Sequence, residues 1–278
     1  MSIQTITTIL SSRETAAAQL DAATGFARAC DAHLQVLPLG IGIDQLGMVQ
    51  GGLDAMPVAV GLEDAQERAK ELAEYAKAQL SKEDIRWDIE PFTSVPGGLA
   101  GDIARHIRFS DLVVQQRPDD AVSGYSGKVA EAVLFDADAP LLMLPSNVQI
   151  SAPAKTIMVA WDESATALRA TRLAMPFLQQ AARVHVAVVD PAKDAPDRSD
   201  PGGAFAQFLA RHDVKCEVSV MTRTESTIAE TLGQRAQEMG CDMIVMGAYG
   251  HSRLRQALFG GTTRTMLEKA GLPVLFAH

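Results

Sequence analysis

The sequence predicts an α/β fold made of two tandem doubly wound domains, each a five-stranded parallel sheet with helices on both faces. Three observations predict it. Apolar, β-branched runs alternate with amphipathic helical stretches along the whole chain, as βαβ units require. Residues of the first half recur in order in the second. The chain has 278 residues, room for two domains of ordinary size.

In the first half, strands are expected at Gln4–Ile9, Leu34–Leu39, Ile85–Phe92, Asp111–Gln115 and Pro140–Leu144. Helices fit Glu14–Cys30, Leu62–Leu80, Gly98–Arg108 and Lys128–Phe135. In the second half, strands fit Thr156–Trp161, Val184–Val189, Lys215–Met221, Met243–Met246 and Pro273–Ala277. Helices there fit Ser164–Gln180, Gly203–His212, Ser226–Met239 and Thr262–Lys269. The repeat is direct. Ile6, Thr15, Ala16, Ala23 and Phe26 return as Ile157, Thr166, Ala167, Ala174 and Phe177. Asp111 and Val114 return as Asp242 and Val245, and Gly127, Leu134, Pro140 and Leu142 as Gly260, Leu267, Pro273 and Leu275. Duplication places the domains at 1–147 and 153–278, with Pro145–Pro153 as a polar, proline-bounded linker. Gly40–Gly61 reads as a surface loop, with a flap over a cleft or a partner surface as its alternatives.

The net charge of −9 works against nucleic-acid or anionic-membrane partners. The three cysteines, Cys30, Cys216 and Cys241, have no C-x-x-C spacing, so neither a disulfide framework nor a zinc site is expected. A reducing, cytoplasmic location follows. The first residues lack a leader pattern, and no apolar run is long enough to span a membrane. The histidines are scattered, so no metal site is proposed. No nucleophile–base pair recurs at a strand end, so no catalytic residue is proposed.

The sharpest feature is VMGAYGHSRLRQALFGGTTRTML in the second half. A buried strand ends at Met246. Gly247 and Gly250 follow, then Gly260 and Gly261, and Thr262 and Thr263 open a helix. Glycines let backbone N–H groups approach phosphate oxygens. A helix start adds unpaired N–H groups and the positive end of its dipole. Arg253 and Arg255 lie between the glycines and can reach outer phosphates. The spacing is neither a Walker loop nor a dinucleotide fingerprint. Gly260–Gly261 also fits a plain loop ending before a helix. Asp162, at the end of VAWD, is either a helix cap or an acceptor for an adenine amino group or a ribose hydroxyl.

These residues resemble the universal stress protein family, whose hallmark is G-x2-G-x9-G-[ST] after the fourth strand with an acidic residue after the first. Gly247, Gly250 and Gly260 match it in type and spacing, and Asp162 matches the acidic position. The resemblance covers the chain as two copies and implies the adenine nucleotide alpha hydrolase-like fold. It implies ATP or AMP as ligand, with Mg accompanying a triphosphate. It places Asp162 and the Val188 backbone at the adenosine, Met246 and Gly247 near the ribose, and Gly250, Gly260, Gly261 and Thr262 around phosphates. One departure is Gly261, where the family carries Ser or Thr; either Thr262 or Thr263 supplies the missing hydroxyl, or triphosphate binding is weakened. The first half departs further. Gln116 and Asp119 stand at the first two glycine positions, Ser11 or Ser12 at the acidic one, and only Gly127 survives. That half is not expected to bind ATP.

The resemblance also implies pairing of the two domains through their last strands, with a homodimer as a further partner state. Three functions compete: a stress-response module that binds ATP or AMP, a slow ATP hydrolase, and a nucleotide-free interaction scaffold.

Overall fold

The structure, a computed structural model, describes residues 3–42, 57–117, 126–145, 154–191, 200–248 and 261–278. The described chain divides into two compact units, Ile3–Ala139 and Pro140–His278.

The first unit opens with β1 (Thr5–Leu10), α1 (Arg13–Cys30), β2 (His33–Ile41) and α2 (Pro57–Leu80). Short strands β3 (Trp87–Ile89) and β4 (Phe92–Ser94) follow, then α3 (Leu99–His106), β5 (Leu112–Gln116) and α4 (Ser126–Glu131). A π-helical stretch at Ala132–Asp136 ends the unit. Its strands lie in the order β3-β2-β1-β5, with β4 also paired to β2, and β2 runs parallel to β1, β3 and β4. Helix α1 starts where Ser12 Oγ accepts from Glu14 N at 3.2 Å. It buries Ala16, Leu20, Ala23 and Ala27, spaced to keep one face on the sheet. It stops at Asp31, whose φ of 50° is left-handed, a conformation Asp tolerates better than most side chains.

The second unit begins with β6 (Leu141–Leu144), β7 (Thr156–Ala160), α5 (Ala165–Leu173), α6 (Met175–Gln180) and β8 (Arg183–Val189). It continues through α7 (Gly203–Ala210), β9 (Cys216–Met221), α8 (Ile228–Glu238) and β10 (Met243–Gly247). It closes with α9 (Thr262–Lys269) and β11 (Val274–Ala277). The strand order is β6-β11-β10-β7-β8-β9. The last five in that order are parallel, while β6 joins antiparallel, Leu142 opposite Leu275. Helix α8 carries a capping box in which Thr227 and Glu230 satisfy each other's backbone N–H, an arrangement that stabilises a helix start by about 1 kcal/mol. β7 and β10 are buried on both faces, as strands covered by helices on either side must be.

Most expected elements form, and four differ. The expected strand at Ile85–Phe92 is two pieces, β3 and β4, docking on successive parts of β2. The helix expected from Ser164 to Gln180 breaks at Ala174, because Pro176 sits in the first turn of α6 and has no N–H to continue the ladder. Helix α2 begins at Pro57, inside the expected loop Gly40–Gly61; proline suits a first helical position. Gly40 is set by that helix, because a Cβ there would lie 1.8 Å from the Ala65 carbonyl oxygen. Finally, β6 makes the second unit's sheet six-stranded and mixed, and it is the strand expected to close the first half. The linker Pro145–Pro153 falls, beyond Pro145, outside the described residues. Among the described residues no helix is long and apolar enough to cross a membrane.

The two repeats share one device at their base. Asp111 Oδ2 accepts from Gln4 N at 2.8 Å and Thr5 N at 2.9 Å. Asp242 Oδ2 accepts from Lys155 N at 2.8 Å and Thr156 N at 2.9 Å. One carboxylate thus ties the start of the first strand to the start of the fourth in each copy. That explains why an exposed aspartate recurs in register. Charge-assisted hydrogen bonds of this kind contribute roughly 1.5–3 kcal/mol. Asp242→Ala and Asp111→Ala are each expected to lower unfolding free energy by about 2 kcal/mol. Urea denaturation checks this; a loss in only one half would break the equivalence of the two aspartates.

Candidate functional site

Helices on one face follow β7 and β8, and the chain then returns past β7 to form β10 and β11. The order β11-β10-β7-β8-β9 therefore reverses between β7 and β10. In open α/β sheets the crevice beyond the carboxyl ends of the strands at such a reversal is where ligands bind. Met246 pairs with Ala160 there, and Trp161 N donates to Ala187 O at 2.9 Å. So Asp162, Val188, Met246 and Gly247 come together on the last residues of, or just beyond, three adjacent strands. Val188 and Met246 are buried and can offer only backbone to a ligand. Asp162 is exposed.

Helix α9 connects the parallel strands β10 and β11, so its first turn lies at the same end of the sheet. Its N-cap is Gly261, in extended conformation with no side chain to accept from the helix N–H groups. Thr262 is half-buried and Thr263 buried. Gly250, Arg253, Arg255 and Gly260 lie outside the described residues, as does Asp119 of the first half.

Asp162 has a local partner. Its Oδ1 accepts from Ser164 N at 3.1 Å, while Ser164 Oγ is the N-cap of α5 and accepts from Ala167 N at 3.1 Å. The capping role considered for Asp162 thus belongs to Ser164, and Asp162 braces the turn before it. Between them Glu163 sits at φ 62°, a left-handed conformation costing about 1 kcal/mol for a residue with a Cβ. Trp161 lies flat on Phe205, ring centres 3.9 Å apart and planes 6° from parallel. That stack is worth about 1 kcal/mol beyond burial and anchors the end of β7 to α7.

Gly247 is the most constrained member. A Cβ at this position would stand 2.5 Å from Ala167 N, 2.6 Å from Thr166 Oγ1 and 2.7 Å from Thr166 C. The first turn of α5 therefore presses directly on the end of β10, which fully accounts for a residue without a side chain. The sequence marks Thr166 and Ala167 only as members of the repeat, because nothing local shows a residue whose importance lies in a neighbour eighty positions away.

Other groups at these strand ends escaped notice as well. Asp190, at φ 47°, accepts from Arg223 N at 3.0 Å, joining the ends of β8 and β9. His278 Nδ1 lies 3.0 Å from Ala248 O, holding the chain just after β10. A separate groove of about 400 Å³ runs between α8 and α9, with Gln234, Gln237, Thr265 and Lys269 in its walls. Hydroxyls of Ser226 and Thr227 hold Glu230 at its margin below the usual carboxylate range. Burial pushes the Cys30 and Cys241 thiols up to about 11, which keeps both protonated and unreactive at neutral pH. Among the described residues no cluster of His, Cys, Asp or Glu could hold a metal ion.

Residues 153–278 match the model of the universal stress protein family. A universal stress protein of Synechocystis sp. is 25% identical over 170 residues, 60% of this chain and 57% of that protein. The match therefore spans less than two thirds of that relative's length. A universal stress protein from Archaeoglobus fulgidus DSM 4304 has the same fold at a TM-score of 0.70 and 15% identity, covering 98% of this chain and 95% of its own. A Pseudomonas aeruginosa UCBPP-PA14 protein described as a universal stress protein gives 0.59 and 16%, covering 99% and 93%.

The clash at Gly247 predicts opposite effects for two glycines. Gly247→Ala forces backbone apart and is expected to destabilise by about 1–3 kcal/mol. Gly233→Ala, inside α8 with nothing within 4 Å, is expected to stabilise by about 1 kcal/mol. Thermal unfolding in nucleotide-free buffer measures both. Equal effects of the two changes would remove the packing account of Gly247.

Proposed function

We propose that the second half, whose residues 153–278 match the model of the universal stress protein family, is a stress-response regulatory module that binds ATP or AMP. The observation that carries the proposal is the strand reversal between β7 and β10. It gathers an exposed carboxylate, two strand ends with backbone available, and the first turn of α9.

In this proposal Asp162 accepts from the adenosine, and its rigid Asx turn keeps the carboxylate in place without ligand. The Val188 and Met246 backbones flank the nucleoside. Gly261, Thr262 and Thr263 meet the phosphates with backbone N–H and hydroxyl groups at the positive end of the helix dipole. Gly250, Arg253 and Gly260 complete the phosphate loop. Gly247 serves the site indirectly, by letting α5 close against β10. A triphosphate brings its own magnesium. Among the described residues no cluster of His, Cys, Asp or Glu could hold a metal ion, and in this proposal the module acts by occupancy. A slow hydrolase remains the enzymatic alternative.

One observation favours a second reading, a scaffold without nucleotide. Gly261 leaves the first turn of α9 without a side-chain cap, in a conformation where serine would supply one.

Mass spectrometry of small molecules retained by the purified protein is expected to find adenine nucleotide. Asp162→Ala is expected to weaken ATP binding about tenfold, the loss of one charge-assisted hydrogen bond. Gly261→Ser is expected to tighten it and to stabilise α9 by a few tenths of a kcal/mol. Calorimetry measures both; identical affinity in wild type and Asp162→Ala sinks the site. Phosphate release over hours at the rate of the buffer blank removes the hydrolase.

A further inference from the structure

The first half contains a buried polar cluster that the proposed function does not use. Gln19 of α1, Thr8 of β1 and Gln115 of β5 are 4%, 0% and 7% exposed. The Gln19 carboxamide nitrogen donates to Val114 O at 3.0 Å, to Thr8 Oγ1 at 2.5 Å and to Gln115 Oε1. An amide has two hydrogens, so they are shared among three acceptors. Gln19 Oε1 accepts from Gln116 N at 2.5 Å. Thr8 Oγ1 donates to Val114 O at 2.9 Å, and Gln115 Nε2 donates to Ile9 O at 3.3 Å.

These side chains satisfy backbone groups that a strand ladder would otherwise satisfy. The register between β1 and β5 consists of Ile6 with Leu112 and Thr7 with Val113. The matching register between β7 and β10 has four pairs and reaches Ala160 and Met246. By the repeat register, Thr8, Gln19, Gln115 and Gln116 correspond to Val159, Ala170, Met246 and Gly247. Four small or apolar residues in one half are thus four polar residues in the other. The reason lies at Gln116. Its counterpart Gly247 has no room for a Cβ beside α5. A side chain at that position requires α1 to stand farther off than α5 does from Gly247, and the space this opens needs filling. A carboxamide fills it and also pairs the freed backbone.

We infer that Gln19 is a specificity-determining residue: a wedge that closes the strand-reversal crevice of the first half and denies it to a nucleotide. The part concerning nucleotide rests on the proposed function of the second half. The wedge itself does not.

Two experiments on the full chain test it. In the first, hydrogen exchange is followed by NMR. Gln19→Met keeps the volume and removes the hydrogen bonds. The Gln116 amide is expected to exchange at least tenfold faster in the variant, with Leu112 and Val113 unchanged. Should that variant not fold, the wild-type carboxamide protons of Gln19 decide, and they are expected to exchange at least tenfold more slowly than those of an exposed glutamine. Unaltered Gln116 exchange, or fast Gln19 carboxamide exchange, overturns the wedge. In the second, 8-azido-ATP is photolabelled onto wild-type protein and the peptides are mapped. Label confined to Pro140–His278 supports exclusion. Saturable label within Ile3–Ala139 overturns it. Label in neither half keeps the exclusion and sinks the proposed function instead.

Discussion

The arrangement of both halves turns on how closely a helix start approaches the end of a neighbouring strand. In the second half, the first turn of α5 sits where a Gly247 side chain would be, with Ala167 N 2.5 Å from the position of its Cβ. Core packing in proteins tolerates no such overlap, so glycine is the residue that allows this geometry. The approach lets β7 and β10 remain paired as far as Ala160 and Met246, and it brings Asp162, Val188 and Met246 to one end of the sheet. A residue that looks like part of a phosphate loop is first of all a residue that lets a helix dock.

The first half shows what happens when that condition is lifted. Gln116 replaces the glycine, the β1–β5 ladder shortens, and buried amides take over the backbone groups left without partners. A buried polar group costs several kcal/mol if unpaired, so the four polar residues belong together. One scaffold thus carries two solutions at its strand reversal, one closed by a glycine-permitted helix contact and one by buried amides. The shared α/β fold keeps the rest in common, down to the equivalent aspartates Asp111 and Asp242 that bind the first strand to the fourth.

Strain and capping concentrate at the open end. Glu163 holds a left-handed conformation between Asp162 and the Ser164 cap. Trp161 is clamped by Phe205. Asp190 bridges to the Arg223 backbone. These contacts hold the ends of β7 and β8 in one arrangement.

The amino-acid sequence by itself determined the class of fold, the duplication and most element boundaries, because these depend on local periodicity and on residues repeated in order. α9 was legible to the residue, and Gly247 and Asp162 could be placed at strand ends from the alternation of apolar runs alone. It missed the break at Ala174 and the early start of α2, although Pro176 and Pro57 mark both. What only the tertiary structure decided depends on distance in space. The division of labour between Asp162 and Ser164, the clash that makes Gly247 obligatory, and the buried hydrogen bonds of Gln19 each involve partners remote in the chain or a choice between two nearby oxygens. A lone glutamine inside an amphipathic helix carries no local signal, and its meaning appears once the strand it faces lacks the glycine found in the other repeat.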